Sequence, residues 1–207
     1  AVRRLTHDSG DDWDPAYTRD GKQLLWSSNR GGNYEIWVAA SDGSGARKLT
    51  ADGVDAENPT ATPDGRWVVY ASANPAQNGI WKIHPDGTDA QRVAAGTLSV
   101  PELSSDGRWV SFVDNDHGRV RVVALDDGAV IAELNLTLTA MNLFQFGRSR
   151  WVPGTSTLVW SEYDAQAAVM TLVAQEIVAG RDTSASRRTL VVGTSDLTHY
   201  GPSYRFT

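Results

Sequence analysis

The sequence repeats a unit of four short strands about every forty residues. The first clear copy is Asp14–Thr50, and its turn Asp20-Gly21 recurs as Asp64-Gly65 and Asp106-Gly107, at spacings of 44 and then 42 residues. A second turn recurs in step, as Asp42-Gly43, Asp86-Gly87 and Asp127-Gly128. Asp-Gly between apolar runs predicts a β-hairpin, because glycine adopts the positive φ of such turns without steric cost. A repeated four-stranded unit of this length is typical of a propeller blade.

The second strand of each unit carries an aromatic residue at one repeat position. These aromatics are Trp26, Tyr70, Phe112 and Trp160. The strands around them, such as Leu24-Leu25-Trp26, are apolar on both faces instead of alternating. This pattern predicts strands that are covered on both sides, with the aromatics packed in the core between adjacent blades.

We therefore predict an all-β protein, a single domain over residues 1–207 that is a β-propeller of four-stranded antiparallel blades. About four complete blades are expected, at 13–50, 58–94, 100–134 and 149–192. Residues 1–6 copy the outer strand of the first blade, and residues 203–207 copy an inner strand, so partial blades are expected at both ends. The chain is then expected to be part of a longer one that forms a six-bladed ring.

Composition narrows the classes of partner. The net charge of −6 disfavours a nucleic-acid ligand, since phosphate binding needs a basic surface. The absence of cysteine excludes disulfides and thiolate metal sites, and it suits an exported protein in the periplasm or outside the cell. No apolar run approaches the length of a membrane-spanning helix, so no membrane insertion is expected.

The order of motifs within the repeat resembles a known family. Pro-x-x-[Ser/Thr]-x-Asp-Gly-[Lys/Arg], then an apolar strand, Ser, Asn-Arg, Ile-Trp, Asp-Gly and Leu-Thr, stands at Pro15–Thr50 and recurs at Pro59–Val93 and, more weakly, at Pro101–Leu134. This is similar to the TolB-type (WD-repeat-like) β-propeller repeat; the fourth blade departs from the pattern.

The resemblance implies two alternatives for function. One is a bacterial propeller that binds a protein or peptide partner through its loops or central channel, as in the periplasmic members. The other is an accessory propeller of a larger enzyme: a prolyl-oligopeptidase-like or tricorn-like peptidase, or a Ser/Thr kinase with a propeller sensor.

The sequence itself shows no catalytic motif. It has no G-x-S-x-G nucleophile elbow, no Walker loop and no HExxH pair, and its four histidines are scattered. The acidic pairs Asp11-Asp12 and Asp126-Asp127 lack the spacing of a calcium loop. We therefore expect a protein that is not an enzyme by itself and that needs no cofactor and no metal.

Strand order places the Asp-Gly turns at one end of every blade and the variable loops at the other. Variable loops on a rigid scaffold are where binding sites concentrate, and Arg, Tyr and Trp are common anchors of protein contacts. The candidate binding residues at the loop end are Asp11, Asp12, Trp13, Asp14, Arg30, Tyr34, Asp55, Glu57, Tyr163, His199 and Tyr200.

Overall fold

The fold consists of four antiparallel sheets of four strands each, and every regular element in the described residues is a β-strand. The structure, a computed structural model, describes residues 2–135, 148–164, 169–179 and 187–190. In each sheet the strands follow one another in chain order from the inner to the outer edge. The predicted all-β class with four-stranded antiparallel sheets is confirmed.

The strand bounds follow the repeat. The first sheet contains β1 (Asp12–Tyr17), β2 (Gln23–Ser28), β3 (Glu35–Ala40) and β4 (Arg47–Lys48). The second contains β5 (Ala56–Ala61), β6 (Val68–Ser72), β7 (Gly79–Ile83) and β8 (Gln91–Ala95). The third contains β9 (Leu98–Leu103), β10 (Trp109–Asp114), β11 (Arg119–Ala124) and β12 (Val130–Asn135). The fourth contains β13 (Arg150–Trp151), β14 (Thr157–Asp164), β15 (Val169–Glu176) and β16 (Arg187–Leu190).

The turn between the first and second strands is built the same way in three sheets. The Thr18 hydroxyl donates to Oδ1 of Asp20 at 2.7 Å, and the same carboxylate accepts the amide of Lys22 at 3.1 Å. Thr62 with Asp64, and Ser104 with Asp106, repeat this hydroxyl–carboxylate bond. The Asp-Gly signal in the sequence is therefore a side-chain-stabilised hairpin turn, as predicted.

Adjacent sheets pack face to face through apolar clusters. One cluster joins the first sheet to the second, a second joins the second to the third, and a third joins the third to the fourth. The repeat aromatics Trp26, Tyr70, Phe112 and Trp160 are 3%, 5%, 0% and 5% exposed. Tyr70, Phe112 and Trp160 lie in the three clusters that join neighbouring sheets, which confirms the predicted core position.

The outer strand, or the residue just after it, contacts the second Asp-Gly turn of the next sheet in two places, from the first sheet to the second and from the second to the third. A Cβ on Gly87 would lie 3.4 Å from the carbonyl oxygen of Leu49, and a Cβ on Gly128 would lie 2.3 Å from that of Val93. Leu5 has the same relation to Gly43, at 2.7 Å, and packs beside Trp26. Leu5 therefore occupies the place that an outer strand takes against each later sheet.

Three expectations about the ends stay predictions. Residues 2–6 form no strand in the structure, so their role as the outer strand of another blade is untested. The expected inner strand at 203–207 lies outside the described residues, and the closed six-bladed ring remains a prediction.

Candidate functional site

The variable loops and the inter-sheet connections meet at one end of the molecule, which we call the loop end. The amide of Asn29 donates to the carbonyl of Asp11 at 3.3 Å, and the equivalent bonds are Ala73 to Asp55 at 2.8 Å and Asn115 to Thr97 at 3.0 Å. Each bond ties the loop after a second strand to the connection that enters the same sheet. The predicted grouping of these segments at one end agrees with this arrangement.

One repeat position at the inner edge of the sheets points into a common space. It is occupied by Asp14, Asn58, Val100 and Arg148, which we call the inner ring. The first three have positive φ, at 50°, 58° and 48°. Each lies at an irregularity of the innermost strand, where the register shifts relative to the second strand. Such bulges re-aim side chains, here into the space between the sheets.

The inner ring is joined by side-chain contacts. The Asn58 amide donates to Oδ2 of Asp14, and its Oδ1 accepts the backbone amide of Val100 at 3.3 Å. Nη2 of Arg148 lies 3.2 Å from Oδ2 of Asp14. Because these contacts connect the inner edges of three sheets with the segment that enters the fourth, they hold the inner ring in a fixed geometry.

A cleft of about 390 Å³ opens above the inner ring. Trp13, Asp55 and Glu57 line its side next to the first two sheets, and Thr97 and Asn115 line the side of the third. The cleft thus has an apolar and aromatic wall with carboxylates beside it, a combination that fits an extended polar ligand with a few anchoring groups.

Glu57 is the most perturbed carboxyl group of the cleft. Burial, with the nearby negative charges of Asp55 and Asp14, raises its pKa to about 7. Oδ1 of Asp55 accepts the backbone amide of Tyr34 at 2.9 Å, so the carboxylate of Asp55 is fixed beside the cleft. The negative potential at this point is therefore a property of the folded chain and not of mobile surface groups.

An exposed aromatic pair stands at the cleft rim. Trp13 is 44% exposed, and its ring centroid lies 5.5 Å from that of Tyr34, with the planes tilted by 46°. Burial, followed by the charges of Asp11, Glu57 and Asp55, raises the pKa of the Tyr34 hydroxyl. The three carboxylates are therefore close enough to the Tyr34 ring to oppose its ionisation.

Two candidate residues are engaged within the protein instead of facing solvent. Arg30 forms ion pairs of 2.9 Å with Asp8 and Asp12, and its guanidinium lies over the rings of Trp26 and Trp37. Asp12 also accepts the indole N–H of Trp26 at 3.0 Å. Although burial raises the pKa of Asp12, the hydrogen bonds from Ser28, Arg30 and Thr6 outweigh it and lower the pKa overall.

The remaining candidates are distributed as follows. Asp11 is exposed at the loop end, where its carboxylate accepts the Asn29 amide at 3.3 Å. Tyr163 lies on β14 opposite Met170, and its side chain is outside the described part of the structure. His199 and Tyr200 also lie outside the described residues. The structure thus brings together Asp11, Trp13, Asp14, Tyr34, Asp55 and Glu57.

The sequence analysis did not single out Asn58 and Arg148, although both are central to the cleft. A signal was present, since counting back three residues from Tyr17, Ala61, Leu103 and Trp151 gives the four positions of the inner ring. The position was missed because its residues share no chemistry, and only the structure shows that they meet.

The described residues contain neither a group of metal-binding side chains nor a membrane-spanning helix. Within those ranges no three or more His, Asp or Glu side chains are grouped so that they could hold a metal ion. No helix in the described part is long and apolar enough to cross a membrane.

Comparison with known proteins gives a family match and several structural neighbours. A family model described as the TolB beta propeller domain matches residues 1–151. The crystal structure of TolB from Acinetobacter baumannii aligns with a TM-score of 0.69 at 21% identity, over 89% of this chain and 44% of that one. The putative TolB from Agrobacterium tumefaciens aligns with a TM-score of 0.62 at 22% identity, over 78% of this chain and 59% of that one.

A propeller from an enzyme also aligns. The β-propeller domain of the Trilobed protease from Pyrococcus furiosus has a TM-score of 0.58 at 14% identity, over 87% of this chain and 57% of that one. The search of curated proteins gave no significant match. The chain spans 44% to 59% of the lengths of these three structures, and at these identities the alignments show the fold alone.

Proposed function

We propose that this chain, which belongs to the TolB β-propeller family, is a non-catalytic scaffold that binds a protein or peptide at its loop end. The observation that carries the proposal is the cleft above the inner ring, with the exposed Trp13 at its rim and the carboxylates of Asp55 and Glu57 in its wall. Trp and Tyr side chains are common anchors of protein contacts, and fixed charges beside them add selectivity for the partner.

The acidic cleft also suggests the charge of the partner. Asp55 and Glu57 face the cleft, and Asp11 lies on the same end of the molecule. Complementary charges speed association and favour partners of the opposite sign. We therefore favour a basic segment of a protein, encountered in the periplasm or outside the cell, over nucleic acid.

The second candidate function is that of an accessory propeller in a larger enzyme. The alignment with the propeller of a Pyrococcus furiosus protease favours this alternative. A hydrolase domain with a G-x-S-x-G elbow, or a kinase domain, in the same polypeptide would decide for it.

A peptide selection tests the scaffold proposal. Peptides are selected from a random displayed library on the purified protein, and their affinity is measured by calorimetry at two salt concentrations. The combined variant Asp11→Asn, Asp55→Asn and Glu57→Gln keeps the shapes of the side chains and removes the charges. At pH 8, where Glu57 with its pKa of about 7 is mostly ionised, this variant should weaken binding roughly tenfold and reduce the salt dependence, because it removes three negative charges that attract a basic peptide.

The matched control removes three charges at the opposite end. Asp42→Asn, Asp86→Asn and Asp127→Asn leave the turns formed, since Asn also serves in such turns. Binding should be unchanged. Peptides that lose affinity with this control and not with the loop-end variant would show that the functional face is the other one.

A further inference from the structure

The cleft has a rim whose composition is more specific than a general acidic surface. The rim consists of the rings of Trp13 and Tyr34 and the carboxylates of Asp11, Asp55 and Glu57, and we call this group the aromatic–acidic rim. Trp13 is 44% exposed and lines the cleft, so part of its ring is accessible from the cleft side.

The nearby cations of the described residues are already engaged elsewhere. Arg30 is held between Asp8 and Asp12 and stacks on two other tryptophans, and Arg148 pairs with Asp14 below the rim. In the described part of the chain, none of the ion pairs involves Asp11, Asp55 or Glu57. The charge of these three carboxylates therefore has no internal counterpart there.

Aromatic faces and carboxylates attract the same kind of group. The face of an indole or phenol ring carries negative potential, so it binds a cation within about 6 Å of the ring centroid, and carboxylates add to the same potential. The Trp13 and Tyr34 rings contact each other with their planes tilted by 46°, so the pair presents ring faces in two directions, and a cation beside the pair can lie against either of them. Neutral apolar ligands gain nothing from the carboxylates and leave them desolvated at a cost.

We propose that the aromatic–acidic rim binds a cationic side chain of a peptide partner, a lysine ammonium or an arginine guanidinium group. This inference rests on the proposed function and deepens it, because it names the chemical group that the loop end recognises. The cleft next to the rim then accommodates the flanking peptide, with the inner ring as its floor.

The test uses defined probes and the indole resonance of Trp13. The probes are end-blocked pentapeptides with a central lysine, arginine, norleucine or glutamate between glycines. They are titrated at pH 8 into ¹⁵N-labelled protein, and the indole signal that disappears in Trp13→Phe is assigned to Trp13. We expect the lysine and arginine peptides to shift this signal in a saturable manner, and the norleucine and glutamate peptides to leave it in place.

Variants separate the two parts of the rim. Trp13→Ala should weaken binding of the lysine peptide roughly tenfold, whereas Trp13→Phe should retain most of it, because an aromatic face remains. For Trp13→Ala, binding is followed through the backbone amide signals of the rim. Asp55→Asn with Glu57→Gln should weaken binding without loss of shape. The matched control is Tyr17→Ala, since Tyr17 is a 53% exposed aromatic residue on the inner strand but outside the rim, and it should have no effect.

Each outcome bears on the inference. A norleucine peptide that binds as well as lysine, or an unchanged affinity of Trp13→Ala, would overturn it. A free butylammonium ion that binds as tightly as the lysine peptide would overturn the assignment to a peptide side chain. Library peptides that bind the loop end without lysine or arginine would overturn the inference and leave the scaffold function intact. If the lysine peptide binds the rim in a saturable manner but no library peptide can be selected, the scaffold function would be overturned and the preference of the rim for cations would stand.

Discussion

At the scale of single residues, the repeat aromatics and the acidic residues of the cleft have opposite effects on the stability of the fold. Trp26 is 3% exposed, stacks on Trp37 at 6.5 Å between centroids, and donates its indole N–H to Asp12. Glu57 gains nothing comparable, because burial and two neighbouring carboxylates disfavour its charged form. Trp26 therefore stabilises the fold, whereas ionisation of Glu57 places negative charge in the cleft and destabilises the fold.

Replacing a repeat aromatic should be costly. We expect Trp26→Ala and Trp160→Ala each to lower the free energy of unfolding by about 3–5 kcal/mol, the usual cost of emptying a large core site. Chemical denaturation of both variants measures it. The matched variant Trp26→Phe keeps most of the packing and removes the bond to Asp12, so it should cost less. A loss below about 1 kcal/mol in both alanine variants would contradict the assigned core position.

Glu57 should make stability depend on pH. Its pKa is about 4.5 in the unfolded chain and about 7 in the folded one. The folded protein therefore binds the proton more tightly, and the stability contributed by the neutral form is lost as pH rises from about 4.5 through 7. Glu57→Gln stays neutral, so relative to wild type it should be more stable at pH 8 and equally stable at pH 4.

Thermal or chemical unfolding at several pH values checks this expectation. The variant Asp126→Asn removes a carboxylate at an exposed position outside the cleft and serves as the control, and it should not reproduce the gain in stability of Glu57→Gln. If Glu57→Gln shows the full wild-type decrease between these pH values, the carboxyl group is not the source of the effect.

At the scale of strands and turns, the sequence predicted the elements well and their contacts less well. Asp-Gly turns with a hydroxyl two residues before the aspartate define the hairpins locally, so they can be read from the chain. The outer strand β4 is only Arg47–Lys48, because the amides of both Leu49 and Thr50 donate to the carbonyl of Ile36 and so interrupt the regular pairing.

The candidate site was predicted in part, for a physical reason. Strand direction alone places Trp13, Asp55 and Glu57 at one end of the molecule. It does not say which side chains face one another across sheets, so the use of Arg30 as an internal ion-pair partner and the bond between Asn58 and Asp14 were missed. The bond between Asn58 and Asp14 depends on bulges in the inner strands, and the pattern of apolar residues alone does not show which side chains those bulges bring together.

Two glycines of the same turn chemistry should differ in their tolerance of alanine. Gly21 and Gly128 both follow aspartate and have φ of 68° and 73°, so alanine is strained at each. A Cβ on Gly21 meets nothing within 4 Å, whereas one on Gly128 would lie 2.3 Å from the carbonyl of Val93 in the preceding sheet. Gly128→Ala should cost at least about 1 kcal/mol more, as overpacking does.

The difference between the two unfolding free energies is the informative measurement, because the two glycines have nearly the same positive φ and the strain of alanine at that φ largely cancels. Equal losses in Gly21→Ala and Gly128→Ala would mean that the outer strand of one sheet does not press on the turn of the next.

At the scale of the whole molecule, the sheets should unfold together and not one at a time. Val69 and Ile80 of the second sheet share a cluster with Val110 and Phe112 of the third, so neither sheet keeps its core without the other. The buried Lys82 of β7 adds a hydrogen bond between the two sheets, since its ammonium group donates to the carbonyl of Leu125 in the third sheet at 2.9 Å.

Hydrogen exchange can test this coupling. Ile80→Ala should cost about 2–5 kcal/mol and accelerate exchange in β10 of the third sheet as well as in β7. Val130→Ala, at a position 53% exposed, is the control and should change neither strand. Faster exchange confined to the second sheet would show that the sheets are independent units.

The separation of turns and loops to opposite ends has a consequence for engineering. The hydroxyl–carboxylate turns and the contact of Gly128 with Val93 do not involve the loops and connections at the loop end. Loops at the loop end can therefore be exchanged between copies of the repeat, or transplanted from other propellers, while the hairpins at the far end continue to specify the architecture. The chain can thus serve as a frame on which new specificities are grafted one repeat at a time.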